Sequence, residues 1–396
     1  MHNIFKIFQK KRNQTIILNP VHHDSRLDNE VLRIIYPFNF AFFLLLSSKY
    51  SIQDNRIMPI GMLRKCLSLF NVFYAGALSL CFIYFYIVTN DFSKSSIIMS
   101  IIHVSGTATF SMGLTLIIVG NIVFENYNIQ LIKMIQFINR GIDFSRSVKR
   151  FIIYSWIYVI FVFSIDLFTY IFFMVTHYMD ALGIVTLWAR LMFISYDINR
   201  VYAIRIITLL RKYLDEWNKN VSQVNNEDRT RLMKLLKVYE NILESFKLYK
   251  TIFQELTLFI IFQAFTRNLG LLETHIQLHK NAPPSHSQVA SVYKTMGIGL
   301  VTAVWILKDI LLVIYHSLQC EMFYKAIEEA ETTCIRLMKK DCSDDQIRLY
   351  KQVLQMNRSF SKMSACGLFF IDAALPLNLI IQLTSYVIIL LQFALL

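Results

Sequence analysis

A chain of 396 residues that is 55% hydrophobic, with a mean hydropathy of +0.45, is too apolar for an ordinary soluble domain, and its apolar residues come in long blocks. The net charge of +13 would suit nucleic acid, but Lys and Arg fall between the blocks and on alternate connectors, as membrane topology requires. A polytopic membrane protein with no nucleic-acid partner is the class that remains.

Residues 1–31 are polar and basic, with Lys6, Lys10, Lys11 and Arg12, and lack an apolar core long enough for a secretory signal; they read as a loosely ordered cytosolic tail. Residues 32–50 hold a short apolar run, 34–47, interrupted by Pro37 and Asn39. Such a run falls short of the roughly twenty residues a crossing needs, so it reads as an interfacial or partly inserted helix before the first span.

Seven blocks long enough to span follow, at about 66–88, 97–124, 151–175, 181–207, 252–273, 289–318 and 367–393. The expected fold is an all-α membrane protein of seven transmembrane helices with a cytosolic helical layer. A six-span bundle covers 64–318 and includes a helical extension over 208–250; a helical linker covers 319–364, and the last helix covers 365–396. The connectors after the first, third and fifth spans are short or nearly free of basic residues. Those after the second, fourth and sixth carry Lys133, Arg140, Lys149 and Arg150, then Arg211, Lys212 and Lys237, then Lys325, Arg336 and Lys340 among others. The positive-inside rule places the amino terminus in the cytosol and the carboxyl terminus outside, the reverse of a G-protein-coupled receptor.

Two basic connectors show a helical period: Leu232, Leu236, Tyr239, Leu243 and Phe246, and Phe323, Ile327, Ala330, Cys334 and Leu337. Each presents one apolar face, predicting that the spans continue into the cytosolic layer. None of the six cysteines falls in an external connector, so no extracellular disulfide is implied. The sequons at Asn13, Asn220 and Asn357 fall on the cytosolic side, which predicts an unglycosylated chain.

No enzyme motif, metal set or cofactor signature is present in the sequence. His275 and His279 beside Glu273 lack an assigned third ligand. The run from Asp197 through Arg200 to Tyr202 resembles a receptor acid-Arg-Tyr triplet only superficially, since it lies in the fourth span.

Intramembrane charges must be paired, wetted or functional. Asp166 and Arg190 lie at similar depth in the outer halves of the third and fourth spans, where an ion pair can form. Asp197 and Lys308, with Asp309 alongside, lie inward of the middle, where the plain reading is structural pairing. The outer level also holds His103, Thr107, Thr169, Tyr170, Trp188, Gln263, Arg267, Asn268, Thr302 and Trp305. Apolar walls with a few converging polar groups make a small-molecule pocket, and these residues with Asp166 and Arg190 are its candidates; the plain alternative is that many face other helices singly. Gly106, Gly113 and Gly120, seven apart in the second span, mark a face of close helix approach.

The last helix carries Ser385 and Tyr386, five apolar residues, then Gln392 and Phe393, with three residues after them. A helix facing only lipid would not bury an amide at Gln392. Cys366, Gly367, Leu368, Phe369 and Asp372 lead into it. This ending resembles that of the insect gustatory receptors, whose last helix carries Thr-Tyr, five apolar residues and Gln-Phe; Ser385 stands here for the Thr. The resemblance implies a ligand-gated, non-selective cation channel of four subunits, held together through the cytosolic layer. Gln392 and Phe393 would then form the pore constriction, with Ser385 and Tyr386 in the same pore-lining helix, and the other spans would bind ligand. It further implies a small-molecule tastant, sugar or bitter compound, as ligand, cations as permeant species, identical or related subunits as partners, and the plasma membrane of a chemosensory neuron as location. Read on periodicity alone, Tyr386 and Gln392 can instead hydrogen-bond within one subunit. A metabotropic seven-helix receptor fits the charge pattern poorly, and a secondary transporter would show an internal repeat.

Overall fold

The computed structural model describes residues 26–89, 97–142, 145–177, 181–223, 229–280, 288–339 and 342–395. Over these the chain runs as α1 (Asn29–Leu44), β1 (Ser51–Gln53), β2 (Arg56–Met58), α2 (Met62–Thr89), α3 (Ile97–Val123), α4 (Glu125–Gly141), α5 (Ser145–His177), α6 (Ala181–Ser222), α7 (Arg229–Lys280), α8 (Gln288–Met338), α9 (Asp344–Arg358) and α10 (Ala374–Leu395). Each predicted span falls within one of these helices except the second, whose final residue Phe124 lies at the break after α3, and the last, which starts late.

Helix length decides the architecture. At 1.5 Å per residue, α6, α7 and α8, with 42, 52 and 51 residues, are roughly 63, 78 and 77 Å long, whereas hydrocarbon is only about 30 Å thick. The surplus of all three forms a helical layer at one end of the bundle, joined by α4 and α9. Both periodic connectors lie on these continuous helices, and their buried faces meet there: Phe246 packs on Phe323 and Phe360 with ring centroids 4.7 and 5.4 Å away, and Trp217 lies 4.5 Å from Tyr239. At the bundle end, Ile153, Ile157, Ile160 and Phe161 of α5 point outward as an apolar face fit for lipid. Among the described residues, Val148–Thr169 and Gly299–Met338 are each long and apolar enough by composition to cross a membrane.

Several elements depart from the expectations. The interfacial run is a helix that begins earlier, at Asn29, and buries Val31, Ile34, Ile35, Phe38, Ala41 and Phe42 against the bundle. Its following loop is anchored by Lys49, 2% exposed, whose amine donates to Asn121 Oδ1 at 2.6 Å and sits 5.3, 5.8 and 5.5 Å from the ring centroids of Phe42, Tyr202 and Phe253. Burial pushes that amine down to about 7, while the ring faces favour the cation. A short hairpin, β1 paired antiparallel to β2, interrupts the all-α plan. Its turn residues Asp54 and Asn55 take φ of 51° and 59°, the left-handed pair that a two-residue hairpin turn needs.

The second span does not lead into an irregular connector. After Phe124 the chain bends by 64° and continues as α4, which buries Leu131, Ile132, Ile135 and Ile138. The bend is pinned by Glu125, which accepts from the backbone N–H of Ile60 and pairs with Lys65 at 2.6 Å. Within the expected helical linker, α9 starts where Ser343 and Gln346 form a reciprocal capping box, with Asp344 and Asp345 complementing the positive end of the helix dipole.

The last helix begins at Ala374, not near residue 367. Residues 363–373 instead form a tight return, in which Ala365 donates to the Phe369 carbonyl at 2.8 Å and Ile371 to that of Met363 at 2.9 Å. Cys366 and Gly367 take φ of 51° and 82° to close it, and a glycine suits the second value. The Tyr324 hydroxyl locks the return to the layer, donating to the Ile371 carbonyl at 3.1 Å and accepting from the Met363 N–H at 3.1 Å.

The glycine stripe is half right. A Cβ on Gly113 would fall well inside contact distance of the Phe259 ring of α7, so this glycine permits close approach. Gly120 faces open space, and the surroundings of Gly106 lie outside the described residues. Gly113→Ala is therefore expected to cost about 1–3 kcal/mol through overpacking, whereas Gly120→Ala should be neutral or stabilise by roughly 0.5–1 kcal/mol. Thermal midpoints of the two purified variants check this; equal behaviour would remove the packing role of Gly113.

Candidate functional site

Adjacent residues on a helix point about 100° apart, so Lys308 and Asp309 of α8 reach different neighbours. The Lys308 amine bridges Asp166 of α5, at 2.6 Å, and Asp197 of α6. Asp309 accepts two bonds from Arg267 of α7, one from Nε at 2.9 Å and one from Nη2. Four consecutive helices are thus tied at one level by five charged side chains, of which Lys308, Asp309 and Asp197 are only 8%, 1% and 6% exposed. Arg200, one turn from Asp197 and also buried, lies within electrostatic reach of Asp309 and Asp197. Three carboxylates then face three cations, so the buried group is neutral as a whole.

The outer and inner pairs expected from sequence therefore become one network. Asp166, assigned to the outer level with Arg190, is committed to the same lysine as Asp197, and Arg267, assigned to the pocket, is committed to Asp309. The physical reason is reach. Depth counted along each helix ignores tilt, and a lysine stem spans about a turn of its neighbours. The i, i+3 spacing of Arg200 from Asp197 is the sequence signal that places it beside this network.

The remaining pocket candidates divide. Thr169 is buried and returns its hydroxyl to the Asp166 carbonyl of its own helix at 3.0 Å. Gln263 and Asn268 are buried on α7, and neither side-chain amide atom of Asn268 has a partner among the described residues. Trp305 is partly exposed. The side chains of His103, Thr107, Tyr170, Trp188, Arg190 and Thr302 lie outside the described residues, as do those of His275 and His279. Toward the layer, a cavity of about 10 Å³ lies between Arg200, Asn199, His316, Ser317 and the start of α10 at Leu375. That is room for one water, far below the roughly 300 Å³ that a ligand pocket needs.

Helix α10 has two unlike faces. Leu375, Leu379 and Leu383 are buried where it packs on α7 and α8. Leu377, Ile381, Ser385, Ile388 and Gln392 recur at four, eight, eleven and fifteen residues on the opposite side, and all are exposed in the single chain. Ser385 turns its hydroxyl back to the Ile381 carbonyl at 2.9 Å, so it adds little polarity to that stripe. Tyr386 stands off the stripe, edge-on to Phe265 of α7 with ring centroids 5.4 Å apart. The side chain of Phe393 lies outside the described residues.

A long-helix bundle with a lipid-facing surface, a neutral buried charge network and a final apolar helix that leaves one face uncovered defines a polytopic membrane protein, not a soluble helical domain. The sequence matches the profile of the 7tm chemosensory receptor family over residues 31–396, and the chain belongs to that family, which comprises the insect odorant and gustatory receptors. No curated protein matches it in sequence. Its fold is similar to that of the insect olfactory receptor OR5 from Machilis hrabei in complex with eugenol, with a TM-score of 0.67 at 11% identity, covering 92% of this chain and 100% of that one. The OR5 structure described without eugenol gives 0.62 at 12% identity over the same shares.

Proposed function

We propose that this member of the family is a gustatory receptor that works as a ligand-gated, non-selective cation channel in the plasma membrane of a chemosensory neuron. Four chains, identical or related, surround the pore, each crossing the bilayer seven times with its amino terminus and helical layer in the cytosol and its carboxyl terminus outside. The observation that carries this reading is the exposed stripe on α10 that ends in Gln392. An uncovered face with an amide at one end suits neither lipid nor a monomer, and four copies about an axis cover it while placing four amides around a pore. Phe393 beside it supplies an aromatic ring that excludes ions by dewetting when narrow. Tyr386, packed on Phe265, couples the helix to α7 and stands away from the pore.

A tastant, sugar or bitter compound, binds in the outer half of the bundle and opens the pore by its higher affinity for the dilated state. In this reading His103, Thr107, Thr302 and Trp305 remain candidates for contact with the tastant, while Asp166 and Arg267 act in the charge network. The eugenol bound by the Machilis receptor is a small aromatic compound, of a size that such a pocket accepts.

Whole-cell recording from cells expressing this chain, challenged with sugars and alkaloids, tests the reading. A ligand-evoked cation current whose selectivity or resting leak changes in Gln392→Ala and in Phe393→Ala, with surface expression intact, is the expected result. A current untouched by both substitutions would place the gate elsewhere and overturn the pore assignment.

A further inference from the structure

Three buried polar atoms without a partner share one place in the bundle. Asn199 and Arg200 of α6 and Ser317 of α8 are 0%, 4% and 1% exposed, and Asn199 Oδ1, Arg200 Nη2 and Ser317 Oγ each lack a hydrogen-bond partner among the described residues. All three residues line the small cavity that reaches Leu375. Asp197 and Asp309 act on Arg200 electrostatically, but neither forms an ion pair with it among the described residues; they bond instead to Lys308 and Arg267. His316, also in the wall, is committed at Nε2 to the Tyr249 hydroxyl at 2.7 Å. Apolar side chains, among them Phe253, Leu256, Ile260 and Val313, complete the enclosure. Such atoms give up hydrogen bonds they had in water unless something in the cavity restores them.

Donor and acceptor types select what that is. The Asn199 amide nitrogen donates to the Ser195 carbonyl at 2.7 Å, which fixes Oδ1 as an acceptor. Arg200 Nη2 can only donate, and the Ser317 hydroxyl can do either. A small anion would suit Arg200 but meet the lone pairs of Asn199 Oδ1; a cation would suit that oxygen but face the guanidinium. Water accepts from the guanidinium, donates to the amide oxygen and makes a third bond with the hydroxyl. Three bonds are what a buried water typically makes, and a volume of about 10 Å³ holds one molecule.

We propose that Arg200, Asn199 and Ser317 bind a single buried water molecule, which joins α6 to α8 beneath the start of the last helix. Ile371 and Leu375 close the cavity on that side, so the water supports the turn from which α10 departs. It also keeps Arg200 hydrogen-bonded beside the buried charge network. The inference does not rest on ion conduction, and its readouts do not depend on current.

The test joins a cryo-EM map of the full-length protein in lipid nanodiscs, fine enough to show ordered solvent, to thermal midpoints of Ser317→Ala and Ser317→Val. The map should hold one peak about 2.7–3.2 Å from all three atoms. Ser317→Ala leaves the water its room and two partners, so its midpoint should change by about 1 °C or less. Ser317→Val puts methyl groups in the water's place and orphans Arg200 and Asn199, which should lower the midpoint by roughly 2–5 °C. In a dry cavity the same methyl groups would fill space and raise it. A map without the peak, or a Ser317→Val variant at least as stable as Ser317→Ala, would overturn the proposal. A peak that strengthens, or a midpoint that moves, when bromide replaces chloride in the buffer would assign the site to an anion and refute the water. The wild-type map decides the matter even if Ser317→Val fails to fold.

Discussion

Replacing Lys308 with Met is expected to destabilise the chain by about 3–5 kcal/mol, because it leaves the buried carboxylates of Asp166 and Asp197 facing each other without their cation. Methionine matches the lysine stem in volume, so packing is retained and the electrostatic loss is isolated. The triple variant Lys308→Met/Asp166→Asn/Asp197→Asn removes all three charges and should recover most of the loss, since a buried ionic group replaced whole by neutral side chains is often neutral in stability. Thermal midpoints of purified protein and surface expression measure both. A stable single variant would show that water, not Lys308, satisfies the carboxylates; an equally unstable triple variant would show that the lysine acts through shape.

Trp217→Ala should cost a similar amount, about 3–5 kcal/mol, by opening a cavity at the centre of the helical layer. The indole is fully buried against Tyr239 and its Nε1 donates to the Leu235 carbonyl at 2.8 Å, joining α6 to α7. Trp217→Phe separates the two contributions. It keeps an aromatic ring in place and forfeits the one hydrogen bond, for roughly 1 kcal/mol plus the unfilled volume. Protease resistance of residues 229–250 in the two variants reads layer integrity directly. If the phenylalanine variant were as weak as the alanine variant, the hydrogen bond and not the packing would hold the layer together.

Both predictions turn on contacts between helices, and these were the least legible part of the chain. The apolar faces at Leu232–Phe246 and Phe323–Leu337 were readable because their period is a property of one helix. The continuation of the spans into the layer was legible on the same ground, and α6, α7 and α8 do run unbroken; which neighbours their faces meet was not, since that is written in no single helix. The bend at Phe124 was hidden for the same reason: the apolar block stops there, but the turns of α4 continue with Leu131, Ile132, Ile135 and Ile138 on one side. The capping box at Ser343 and Gln346, by contrast, is a local signal that the spacing alone carries.

The sequence by itself determined the class of the molecule, the positions of its apolar blocks and the family to which its ending is similar. Composition, block length and a local motif are written along the chain and need no partner to be read. Tertiary structure alone decided that Lys308 serves two aspartates on two helices, that Asp309 turns to Arg267, and that Tyr386 faces α7 while Gln392 faces away. Each of these is a relation between helices. A helix's own period says which residues share a face, but the tilt and rotation that bring one face against another come from the packing of the whole bundle.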